Sequence, residues 1–250
     1  MTITDRTATR RRVPMSSLRK TALIAGVIYL ITFISIPTLT LYGPVRDDPT
    51  YLLGPGPDTP AIIGAILEII VALACIGTAV VLYPVIKRQN EALAMGFVGA
   101  RVLEAATIFA GVASLLSVVT LRQAGAGADA LITGQALVAL HDWTTLLGQG
   151  FLPAVNALLL GSLLYRSRLV PRIIPLVGLI GAPLIIVSVI ATLFGHKEQL
   201  SVLSGLAVLP IALWEFSLGV YLVVKGFRPS SVTAGMTTAN TPHPHQDALV

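Results

Sequence analysis

From Thr21 to Val45 the chain carries no charged side chain, and from Ile173 to Phe194 it again carries none. Runs of this kind recur along the sequence, separated by short clusters of Lys, Arg, Asp and Glu. A hydrocarbon core about 30 Å thick needs about 20 helical residues at 1.5 Å each. In lipid every backbone polar group must be satisfied internally, which leaves the helix and the closed barrel. Leu, Ile, Val and Ala without strict alternation argue against barrel strands. The sequence therefore predicts an all-α fold, a polytopic transmembrane helix bundle. The charge content agrees: 12% of residues, where a soluble domain carries about 25%.

Six spans are expected, at about 21–42, 60–83, 94–119, 140–165, 173–194 and 200–224. A basic tail, 1–20, precedes them, and the Ser-, Thr- and Pro-rich stretch 229–250 reads as a disordered tail. The apolar run after the basic tail is too long for a cleaved signal peptide, so the first span is expected to remain. Pro37 is expected to kink or end it. Residues 43–58, with Arg46, Asp47, Asp48, Asp58 and several Gly and Pro, have loop chemistry. Residues 130–140 are expected at the interface before the fourth span.

Alternate loops collect very different amounts of positive charge. One side holds thirteen Lys and Arg, six in the N-terminal tail, two at 87–88, three at 166–172 and two at 225–228. The other holds Arg46, Arg122 and Lys197. By the positive-inside rule both termini face the cytoplasm, and the localisation expected is a bacterial inner (plasma) membrane. The formal charge of +5 is thus a topology signal, and no nucleic-acid partner is expected. The single cysteine, Cys75, excludes an intrachain disulfide and a thiolate metal cluster.

A few ionisable residues lie where lipid should be. Each costs roughly 2.5–3.5 kcal/mol at the centre of a span. Glu104, Asn156 and Glu215 lie at one depth, about 22 Å along their helices from the assumed ends, with Arg101 one turn deeper. Arg101 and Glu104 are three apart and share a face. Two carboxyls beside one guanidinium serve an internal salt bridge, an acid/base pair or a proton-coupled carrier. Arg101, Glu104 and Glu215 are the candidate catalytic residues on the second reading.

Glu68 and Gln149 suggest a second polar layer. With Asn156, Asp142 and Trp214 they are the candidate ligand-binding residues, although Trp214 beside Glu215 also suits packing. His141-Asp142 reads as an interfacial cap with Trp143 as belt aromatic. His141, Glu68 and Glu104 have no metal-ligand spacing, and no metal is assigned. Ala106, Ala110 and Ser114 form a small-residue stripe suited to close helix approach.

No P-loop, dinucleotide fingerprint, nucleophile elbow or haem attachment motif is present, and the sequence names no cofactor. The partners expected are membrane lipids and a small lipophilic ligand, and no oligomeric state can be read. The functional expectation is an intramembrane pocket that binds or transforms such a molecule. The alternatives are a small proton-coupled carrier and a structural or regulatory membrane subunit.

Three stretches together carry a resemblance. They are Arg101-Val102-Leu103-Glu104-Ala105; Leu164-Tyr165-Arg166-Ser167 with Pro171; and Trp214-Glu215 leading to Val224-Lys225-Gly226-Phe227. In order and spacing they resemble the bacterial domain-of-unknown-function family 4386, over roughly 20–228. The resemblance implies a compact multi-helix membrane protein and brings no activity. It singles out Arg101, Glu104 and Glu215.

Overall fold

A computed structural model describes residues 15–195 and 202–234. Every regular element among them is helical: α1 Ser17–Ile31, α2 Thr38–Leu41, α3 Gly43–Arg46, α4 Thr59–Ile86, α5 Glu91–Gln123, α6 Leu131–Thr145, α7 Leu152–Ser167, α8 Ile173–Leu193 and α9 Val202–Val224. Six helical rods are long and apolar enough to cross a membrane, Ser17–Leu41, Thr59–Ile86, Glu91–Gln123, Ala128–Ser167, Ile173–Leu193 and Val202–Val224.

The rods close a ring in chain order. α1 packs on α4, α4 on α5, α5 on α7, α7 on α8, α8 on α9, and α9 on α1. Short connections make antiparallel neighbours of successive helices, and the sixth returns beside the first. Arg19 fastens that seam. Its guanidinium donates to the Leu222 carbonyl at 2.8 Å and to the Val223 carbonyl, capping the last turn of α9. α1 therefore begins where α9 ends, at one end of the bundle, the termini end.

Local chemistry sets the helix ends. The Ser16 hydroxyl accepts from the Arg19 amide, and Asn90 Oδ1 accepts from the Leu93 amide, as side-chain N-caps. Pro37 opens α2, after a 3₁₀ turn at Thr32–Ser35 that breaks the first rod. The expected kink is there, spread over the turn before the proline.

The fourth rod differs from the expected span. Residues 131–140 continue as helix through Gly134, against which Leu52 packs closely. α5 and α6 run on together, joined by a 2.7 Å bond from the Ser114 hydroxyl to the Leu137 carbonyl. Between α6 and α7 the rod winds as a π-helix over Leu146–Phe151. The expected loop 43–58 also has structure. Tyr51 and Leu52 pack with Tyr42, Val45 and Leu115 in a core of their own at the end opposite the termini.

The small-residue stripe faces differently from expectation. Ala106 and Ala110 are exposed; close approach on α5 occurs at Gly111, against Thr144, as well as at Ser114. The segment after α9 packs back on the bundle through Ala234: the Ser230 hydroxyl donates to the Ser167 carbonyl at 2.7 Å, and Thr233 is buried. The expectations for 1–14, for 196–201 and for 235–250 lie outside the described residues.

Candidate functional site

Arg101 is buried to 1% exposure in the middle of the ring. Its Nη1 donates to Glu104 Oε2 at 3.0 Å, the i,i+3 neighbour on α5. Its Nη2 donates to Glu215 Oε1 at 3.0 Å, across the ring on α9. Asn156 of α7 donates to the same Glu104 oxygen at 2.7 Å. Glu104, Asn156 and Glu215, expected at one depth, are thus joined into one cluster with Arg101, which was expected one turn deeper. Cys75 Sγ lies 3.6 Å from Arg101 Nη1, and the guanidinium stands over the rings of Tyr29 and Phe97 at 5.0 and 5.8 Å. Delocalised and weakly hydrated, guanidinium suits such a position better than ammonium.

A cavity of about 200 Å³ opens beside this cluster, and every one of the six rods contributes to its wall. Arg101, Glu104 and Glu215 supply its charge; Val71, Ile108 and Ile211 are among its apolar residues. The 3₁₀ turn at Thr32–Ser35 lines it as well. Non-helical backbone at membrane depth is tolerated where it borders a cavity. Glu215 is the more available carboxylate. Its side chain is 13% exposed against 6% for Glu104, and its second oxygen accepts no hydrogen bond among the described residues.

The second layer also assembles. Tyr42 OH donates to one oxygen of Glu68 and Gln149 Nε2 to the other, both at 3.0 Å. Gln149 sits within the π-helix, a feature frequent at functional sites. A second cavity of about 190 Å³ lies here, bounded by Tyr42, Glu68, Gln149, His141, Asp142 and Arg46. Asp142 accepts from Arg46 Nε at 2.9 Å, and His141 Nδ1 lies 3.3 Å from the same oxygen. His141 is buried within the protein, edge-on to Tyr42 at 5.2 Å.

Trp214 stands apart from both cavities. It is fully buried in the core, with Gly178 beneath its indole. Successive helical residues point about 100° apart, so Glu215 enters the ring and Trp214 does not. Sequence reasoning missed Arg46, Tyr42, Cys75 and the broken turn of the first rod. Arg46 and Tyr42 lay beside a loop signal, and only Pro37 hinted that this segment turns inward. Among the described residues no three of His, Cys, Asp and Glu are grouped to hold a metal ion.

At the end opposite the termini, Asp58 is tied to Arg122, Tyr51 and Gln123. Burial would raise its carboxyl. Those hydrogen bonds and the Arg122 charge outweigh burial and hold it below the usual carboxylate range.

One family model matches residues 24–226. The chain belongs to that family, described as a domain of unknown function (DUF4386). The matched stretch contains Arg101, Glu104, Glu215 and both cavities, so the polar centre lies within the family domain. No curated protein and no solved structure matches the chain.

Proposed function

We propose that this protein binds a small lipophilic molecule inside the membrane and acts on it by acid/base chemistry. The observation that carries the reading is the cavity walled by all six rods, largely apolar, with Thr32, Ser35 and Gln149 as neutral polar groups and its charge confined to Arg101, Glu104 and Glu215. An apolar pocket with a few convergent polar groups is the form of a small-molecule site. Glu215 is the group that exchanges a proton with the ligand, because its free oxygen adjoins the cavity. Arg101 holds both carboxylates in place, and Asn156 fixes Glu104. Glu68, Gln149 and Asp142 border the approach. Ile36 and Val208, exposed at the cavity rim, suit entry from lipid.

The membrane is proposed to be the bacterial cytoplasmic membrane, with the termini end inside. Thirteen Lys and Arg against three support that orientation. A carrier in which the same carboxyls titrate during transport is the second reading. It is favoured by the second cavity, which shares wall residues with the first.

Native mass spectrometry of the purified protein tests the proposal. A lipophilic adduct is expected on the wild type, and none on Glu215→Gln that melts at the same temperature. A clean protein mass for the wild type, with Glu215→Gln altering stability alone, would leave the polar centre a structural device and end the proposal.

A further inference from the structure

The two cavities are neighbours. Ser35, Ile36 and Gln149 belong to the walls of both, so the broken turn of the first rod and the π-helix form a shared partition. Polar groups therefore follow one another from the Arg46–Asp142 pair, past Glu68 and across this partition, to Glu215.

The fixed charges in this series do not cancel. Arg46 is matched by Asp142 at 2.9 Å, and Arg101 by Glu104 at 3.0 Å. Glu215 has only a share of Arg101. Glu68 has two neutral donors, Tyr42 and Gln149, and no ion pair reaches it among the described residues. Two carboxylates thus lack a cation of their own. In a low dielectric an unmatched charge is expelled or neutralised, by a proton or by a bound cation. The rest of the inner wall carries no charge and is mostly hydrocarbon, with Phe33 adding an aromatic side chain. Positive charge on an apolar body satisfies both features at once.

We infer that the ligand is a lipophilic organic cation, a protonated amine, whose charge rests at Glu215 in the inner cavity. Glu68 is the second anionic station in the series. This names the ligand class of the site proposed above and rests on that reading. The other titratable or charged groups around Glu215 are Arg101, Glu104, Cys75 and Tyr29; around Glu68 they are Tyr42, Arg46, His141 and Asp142.

Isothermal titration calorimetry of the full chain in detergent, with benzyltrimethylammonium as probe, tests the inference. Benzenesulfonate and benzyl alcohol serve as the anionic and neutral counterparts. The cation is expected to bind and the anion not to. Glu215→Gln should weaken it by about tenfold or more, the factor for one lost contact to a charged group. Glu215→Asp, which keeps the charge, should retain most of the affinity and guards against a folding defect. Equal binding of cation and anion, or a cation affinity indifferent to Glu215→Gln, would overturn the inference. No cation binding by a protein that still carries a neutral lipid in native mass spectrometry would overturn this ligand class alone. A protein that takes neither would overturn the underlying reading too.

Discussion

Arg101 and Glu215, 114 positions apart in sequence, are joined by a 3.0 Å ion pair through the centre of the helical ring. The pair links the third rod to the last, which share no broad packing surface. A guanidinium inserted between two carboxylates holds those rods at a fixed separation and leaves the cavity beside them.

Removing one partner of this cluster is expected to cost far more than removing all of it. Arg101→Met strands Glu104 and Glu215 without their cation and should lower stability by about 3–5 kcal/mol. Adding Glu104→Gln and Glu215→Gln to the same protein should recover much of that loss. Thermal unfolding in detergent, followed by circular dichroism, reads both. A triple variant no better than the single one would count against the ion-pair account.

The seam between α1 and α9 depends on Gly26. A Cβ there would stand 2.6 Å from the Gly219 carbonyl oxygen and 2.8 Å from the Val223 amide, both backbone atoms with no room to move. Gly26→Ala should therefore destabilise by about 1–3 kcal/mol. Gly99→Ala is the control: nothing lies within 4 Å of its Cβ, and alanine in a helix interior should stabilise by about 0.5–1 kcal/mol. Melting temperatures of the two variants should move in opposite directions.

Asp58 ties the start of α4 to the end of α5 through Arg122 and Gln123. Its carboxyl is held below the ordinary range, so the folded state binds the proton less readily than the unfolded one. Its stabilising contribution is complete above the unfolded value of about 3.9 and is lost as pH falls toward the folded value. The difference in melting temperature between wild type and Asp58→Asn should be constant near neutrality and shrink below about pH 4. A difference that grew on acidification would contradict the assignment.

The proposed orientation makes a labelling prediction. In a Cys75→Ala background, a cysteine at the exposed position of Asp129 should react with an impermeant maleimide on intact cells. One at Arg88, near the termini end, should react only after permeabilisation. The reverse pattern would invert the topology and remove the positive-inside argument.

Much of the polar centre was legible because depth along a helix follows residue count, at 1.5 Å per residue. Glu104, Asn156 and Glu215 were placed at one level by arithmetic, and they touch Arg101 or each other. Direction around the helix axis was not legible. It set Trp214 into the core instead of the cavity, and it turned Ala106 and Ala110 outward while Gly111 met Thr144. A shift of one residue rotates a side chain by about 100°, and only packing against neighbours selects the angle.

The sequence by itself determined the number of apolar rods, their helical nature, and the one face shared by Arg101 and Glu104. These follow from run length, from the bilayer's demand for internal hydrogen bonds, and from the helical repeat. The tertiary structure alone decided that the rods close a ring and that Arg101 reaches Glu215. It also decided that Tyr42 and Arg46 turn inward to Glu68 and Asp142. Each of those contacts joins residues that no local rule relates, because it depends on how helices with nearly uniform apolar surfaces settle against one another.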